Sequence, residues 1–303
     1  MSAPSGRQFE LAHAGQRAVA VEIGGGLRSY SSGGLELLDG YAADEACSSA
    51  RGQVLIPWPN RIEDGSYEFD GRRHELPLTE PERRNAIHGL VRWSVWDAVE
   101  LEADRVVLEH ALRPQPGYPF SLSLRLEYTL SDRGLRVRTT AANTGAEACP
   151  YGAGAHPYLT VGTESVDSAV LQVPAGTVLE PDERGLPTGS APVEGTEYDF
   201  REARPVASTR LDHCLTDLER GEDGLARVTL SQPEGGAGIT LWMDGAYSHL
   251  MLFTGDPLPD VDRRSLAVEP MTCPPNAFRT GERVIRLEPG ESCAAEWGLE
   301  AGA

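Results

Sequence analysis

Not one lysine occurs among the 303 residues: all 27 basic residues are arginines, set against 46 acidic residues for a formal net charge of −19. Without a primary amine on any side chain, Schiff-base aldolase chemistry, pyridoxal-phosphate chemistry of the usual kind and the phosphate-gripping lysine of P-loop and kinase sites are excluded. The acidic excess argues against sequence-independent binding to nucleic acid or to an anionic bilayer, whose phosphates repel such a chain on average. Neither partner is expected; a neutral or cationic small molecule fits better. Long apolar runs are also lacking. No 18-residue stretch is uninterruptedly apolar, and the opening MSAPSGRQFELAHAG has no apolar segment of the signal-peptide kind, so the expectation is a cytoplasmic chain with no membrane span. Cysteine is sparse and scattered (Cys47, Cys149, Cys214, Cys273, Cys293), with no Cys-x-x-Cys and no histidine pair at ligand spacing. Reduced buried thiols are expected, with neither a disulfide framework nor a metal site. The G-x-S-x-G, G-x-G-x-x-G and H-E-x-x-H patterns are absent, which leaves hydrolase triads, dinucleotide binding and zincin chemistry without support.

Helical periodicity is missing too, and 33 glycines plus 22 prolines leave little room for long helices. What is there is alternation with period two. Val19, Val21 and Ile23 alternate, as do Tyr67 and Phe69, which run into Asp70-Gly71, a pair suited to a tight hairpin returning over 74–78. Val106, Leu108, His110 and Leu112 form one face of a strand. Leu122, Leu124, Leu126, Tyr128 and Leu130 form another, turned by 132–134 into an antiparallel partner bearing Leu135, Val137 and Thr139. Further strands are predicted over 226–230, 239–243, 249–253, 266–268, 284–287 and 294–299. Many short strands between Gly, Pro and Asp turns predict an all-β sandwich or barrel. No repeat or low-complexity linker divides the chain, so a single domain over 1–303 is expected, near the upper size for one core. The segment 174–205, rich in Pro, Gly, Glu and Thr, reads as a long, partly irregular excursion of the kind that carries function.

Four segments combine polar residues with Pro or Gly surroundings. In Pro57-Trp58-Pro59-Asn60-Arg61-Ile62, two prolines stiffen a loop that presents either a sugar-contacting Trp58 and Arg61 or, as the slightly favoured reading, a buried tryptophan plug beside a surface arginine. His88 precedes a glycine in Ile87-His88-Gly89, where a structural role is the commoner one. His156, in Gly154-Ala155-His156-Pro157-Tyr158, sits among small residues that permit close approach of a ligand, and is the better catalytic candidate. Glu269 ends the apolar run Leu266-Ala267-Val268 before Pro270, a placement at the sheet rim where burial would raise its pKa toward a useful base. A histidine and a carboxylate without a nucleophile or a metal set describe a pair that moves protons.

Taken together and in order, PWPNRI (57–62), IHG (87–89), GYPF (117–120), GAHPY (154–158), LDH (211–213) and VEPMT (268–272) resemble the aldose 1-epimerases, over nearly the whole chain. The resemblance implies a large antiparallel β-sandwich of the galactose mutarotase-like supersandwich type, interconversion of sugar anomers, and no cofactor. It implies His156 as general acid and Glu269 as general base, with Arg61, His88 and Asp212 as the residues that hold a monosaccharide. Galactose mutarotases carry a glycine-arginine run before N-R-I and a second glycine after H-G. Here Ile56-Pro57-Trp58-Pro59 and Leu90 stand instead, which marks a divergent branch and leaves the particular sugar open. Two alternatives accompany this reading: a hexose-6-phosphate 1-epimerase, for which Arg83, Arg84 and Arg92 near His88 are candidate phosphate ligands, and a non-catalytic carbohydrate-binding protein on the same fold.

Overall fold

The period-two segments do become strands. In the computed structural model, which describes residues 3–256 and 258–302, every ladder among the described residues is antiparallel, and α-helix is confined to the single turn Ala277–Thr280. Among the described residues no helix is long and apolar enough to cross a membrane.

Two large sheets dominate. The first has nine strands in the order Asp97–Leu101, Arg105–Leu112, Leu122–Ser131, Gly134–Asn143, Ser292–Gly302, Gly238–Met243, Ala226–Ser231, Val170–Gln172 and Arg204–Pro205. Its heart is the hairpin Leu122–Ser131 with Gly134–Asn143, which runs for ten residues a side without a register break. Ser292–Gly302 pairs with Gly134–Asn143 on one side and Gly238–Met243 on the other, and so lies in the interior of this sheet. The second sheet has eight strands; along its main path these are Pro187–Pro192, Ala175–Pro181, Asp212–Leu218, His249–Phe253, Leu266–Met271, Gly154–Ala155 and Val54–Leu55, and Tyr158–Leu159 adds a second partner to Leu266–Met271. A four-stranded sheet over Gln8–Glu36 and three two-stranded sheets complete the described fold.

Alternation fixes which faces meet. Leu124, Val137, Leu241 and Trp297 of the nine-stranded sheet share one buried apolar cluster with Leu215, Leu250, Leu252, Leu266 and Val268 of the eight-stranded sheet. Neighbouring residues on the latter strands, Asp212, Cys214, Met251, Phe253, Ala267, Glu269 and Met271, have the opposite parity and therefore project from the other face. That second face is the floor of the site described below.

The hairpin predicted at Asp70-Gly71 is present, Ser66–Phe69 pairing with Arg72–Glu75; both turn residues have positive φ (50° and 71°), as a two-residue primed turn requires. The segment 174–205 differs from its reading as an irregular excursion. Much of it is the hairpin Ala175–Pro181 with Pro187–Pro192, which forms one edge of the eight-stranded sheet, where prolines are tolerated because an edge strand leaves donors unpaired. Of the five free cysteines, Cys149, Cys214 and Cys273 are buried as expected, whereas Cys47 and Cys293 are only half-buried.

Candidate active site

Register on the eight-stranded sheet creates the central pair. Gly154 pairs with Met271 and Tyr158 with Ala267, so His156, midway between, stands opposite Glu269. Antiparallel neighbours on one face approach closely, and His156 Nε2 lies 3.2 Å from Glu269 Oε1. The backbone of His156 is locked by a second strand-like contact: its N–H donates to the Gln53 carbonyl (3.1 Å) and its carbonyl accepts from Gly52 (2.9 Å). Glu269 is not at the sheet rim, as the sequence suggested. It lies inside the wholly buried strand Leu266–Met271, flanked by Met251 on the next strand, because Pro270 is accommodated within the ladder opposite Leu250 and does not end it. The small residues around His156 also serve differently from expectation. A methyl on Gly154 would stand 2.9 Å from Pro59 and one on Gly152 2.7 Å from Cys273 Sγ, so these glycines admit the neighbouring protein segments and not a ligand.

Around the pair opens a cavity of about 410 Å³, within the range of small-ligand sites. His156, Glu269, Arg61, His88 and Asp212, all five residues singled out from sequence, line it. His88 adopts the left-handed conformation (φ 62°), its N–H donating to Asn60, and its ring meets that of His156 edge to face at 5.3 Å. Gly89 explains the H-G pairing: a Cβ there would sit 2.0 Å from the Ile56 carbonyl oxygen, so the loop bearing His88 packs against 56–60 only if this residue is glycine. Tyr158 stacks under His156 at 5.0 Å.

Arg61 does not reach the cavity as a free cation. Its Nε and Nη2 donate to the two oxygens of Glu80 at 2.9 and 3.0 Å, a bidentate pair that fixes the guanidinium plane. Glu80 is itself held by Asn85 Nδ2 (2.8 Å), and the same amide donates to the Arg184 carbonyl (3.0 Å). Arg184 then donates to the Arg83 and Arg84 carbonyls, at 2.9 Å each. The turn Asp182–Leu186 of the edge hairpin thus staples the wall that carries Arg61, and Gly185 (φ 75°) lies so close that a Cβ would be 2.5 Å from Arg61 Nη1. Asp212 is partly exposed, with Arg83 at 3.7 Å. Trp58 is the buried plug, the favoured of its two readings, tilted against Phe278, whereas Arg61 beside it is buried and not the surface arginine of that reading. The aromatic side chain at the cavity mouth is Trp93, 61% exposed. Arg83 and Arg92, two of the three arginines offered by sequence as candidate phosphate ligands, line the cavity, whereas Glu80, Asn85 and the 182–186 turn carry no local sequence signal that ties them to the site; only the fold joins them.

Burial sets the electrostatics. His156 and Glu269 are 5% and 2% exposed. Desolvation pushes the imidazole of His156 down to about 3, with Arg92 adding to it, and drives the Glu269 carboxyl well above the usual carboxylate range, reinforced by Asp212. Burial thus disfavours the charged form of both groups. His88 is also held well below its ordinary value, first by burial and then by its cationic neighbours. Nδ1 of His88, Nδ1 of His156 and Oε2 of Glu269 find no hydrogen-bond partner in the protein. Among the described residues, no group of three or more His, Cys, Asp or Glu side chains is placed to hold a metal ion.

Comparisons with known proteins agree with this architecture. The family model for aldose 1-epimerase matches residues 7–300. The chain is 37% identical to the uncharacterized protein YihR of Escherichia coli K12, over 95% of this chain and 91% of that one. It is 30% identical to the aldose 1-epimerase of the same organism, over 77% and 71%. Among solved structures, the GalM/aldose epimerase homologue from C. elegans superposes with a TM-score of 0.88 at 19% identity, covering 98% of both chains. With a match of this extent and a fold of this kind, the chain belongs to the aldose 1-epimerase family.

Proposed function

We propose that the protein interconverts the α and β anomers of an aldose by acid–base ring opening and reclosure, with Glu269 as general base and His156 as general acid. The observation that carries this reading is the 3.2 Å cross-strand contact between the two groups on the floor of the cavity. Opening the ring needs a proton taken from the C1 hydroxyl and another given to the ring oxygen; the open aldehyde then turns about C1–C2 and recloses. In the opening step the Glu269 carboxylate accepts the hydroxyl proton while the His156 imidazolium donates to the ring oxygen. Afterwards the carboxyl is protonated and the imidazole neutral, the uncharged forms that burial favours. Both arrangements contain a single proton, so transfer between Oε1 and Nε2 interchanges them without solvent. Arg61 and His88 donate to sugar oxygens, and Asp212 accepts from hydroxyls.

The test is polarimetry of freshly dissolved α-glucose and α-galactose. Wild-type protein should accelerate the approach to equilibrium, and Glu269→Gln, which keeps the side chain's shape, should lower the catalysed rate by ~10²–10⁴-fold. A near wild-type rate in that variant overturns the base assignment.

A further inference from the structure

Three arginines line the cavity, and they are not equivalent. Arg61 is bound to Glu80 at 2.9 Å and Arg83 has Asp212 at 3.7 Å. Arg92 has no carboxylate oxygen within 4 Å among the described residues; its Nη1 reaches only the Gln53 side-chain oxygen, at 3.4 Å. Its carbonyl accepts from Gln53 Nε2 at 3.1 Å and lies 2.4 Å from where a Cβ on Gly24 would stand, so the backbone beneath it is wedged in place. A half-buried guanidinium without a counter-charge gives up part of its hydration for no more than one long bond to a neutral amide oxygen.

The cavity also has two ends. Across the eight-stranded sheet the order runs from the strand of Asp212 through that of Glu269 to the segment of His156 and on to Val54–Leu55. Arg92 stands at the last of these ends: its Nη1 and its carbonyl both meet the Gln53 side chain, and the Gln53 carbonyl accepts from the His156 N–H at 3.1 Å. If His156 serves the ring oxygen, as proposed above, the adjacent carbon C5 and its exocyclic arm lie at the histidine end, beside Arg92.

We infer that the substrate is an aldose whose C5 arm carries an oxyanion, a carboxylate or a phosphate ester, and that the Arg92 guanidinium is its partner. The inference rests on the proposed mutarotase reading. The net charge of −19 opposes an anion only at long range, and salt screens that field within about 8 Å at physiological ionic strength; a guanidinium in direct contact inside the cavity outweighs it.

The experiment compares kcat/KM for mutarotation of glucose, glucuronic acid and glucose 6-phosphate by the wild-type protein, Arg92→Gln and Arg92→Lys. The wild-type protein should favour one of the two acids over glucose by roughly tenfold or more, and which acid it is identifies the oxyanion. The preference should collapse in Arg92→Gln and survive in part in Arg92→Lys, which keeps the charge but not the fork of donors. Glucose turned over as well as both acids, or an acid preference unchanged in Arg92→Gln, overturns the inference while leaving the mutarotase reading intact. Failure of the wild-type protein on all three sugars overturns both.

Discussion

The two large sheets share one core yet differ in what they do with their other face. On the nine-stranded sheet, the residues between the buried leucines of Leu122–Ser131 join a lattice of exposed ion pairs: Arg125 with Glu109 and Glu100, Arg105 with Glu127, and Arg136 and Arg138 with Glu296. Its strands are long and its central registers unbroken. On the eight-stranded sheet the second face is buried, its carboxylate and imidazole lack counter-ions outside their own contact, and the ladder beside Glu269 is interrupted at Pro157 between two-residue strands. One sheet satisfies its polar groups and supplies rigidity; the other leaves them unsatisfied and supplies chemistry. Paying for the second with the first is affordable because a continuous core ties them together.

That contrast can be broken from either side. The largest effect is expected from Leu126→Ala in the middle of the nine-stranded sheet, where the side chain is 1% exposed. It should cost ~2–5 kcal/mol in urea unfolding while the rate constant for mutarotation at saturating sugar is retained. A variant equally stable, or one stable but inactive, would blur the division between scaffold and site. Next is Gly185→Ala, which places a methyl against Arg61 from the stapling turn. Displacing one charged hydrogen-bond donor is worth about 1.5–3 kcal/mol, so KM should rise roughly tenfold or more with kcat little changed; an unaltered KM would show that Arg61 does not hold sugar. The smallest effect is expected from Arg138→Ala. Its partner Glu296 keeps Arg136, and such exposed pairs contribute below about 1 kcal/mol, measurable as a slight shift of the urea midpoint and no change in rate.

Sequence legibility follows the same division. Where one face is buried and the other wet, alternation is visible, and Leu122 to Leu130 with Leu135 to Thr139 revealed the central hairpin almost to its ends. The second sheet hid more. Leu266–Met271 is buried on both faces, so nothing in its own residues distinguishes the centre of a strand from its rim, and Pro270 reads as a terminator although the ladder accommodates it. The edge hairpin over 175–192 is composed of Pro, Gly and Thr because an edge demands little apolar content, and it reads as irregular for that reason. The site residues were legible as a set through ordered motifs, but their supports were not. Glu80 is 19 positions from Arg61, and Arg184 is 99 from Asn85, distances over which only the folded chain carries information.

The opposition of His156 and Glu269 has a further consequence for how such a site diversifies. Their spacing belongs to the hydrogen-bonded ladder of one sheet, where a shift of a single residue would turn one of them to the opposite face. Changes in the surrounding walls, at Arg92, Trp93 and the 182–186 turn, leave that spacing untouched, because it depends on the ladder and not on the loops. The fold thus separates two kinds of position: the spacing of the pair is written into strand register, and the lining around it into loops.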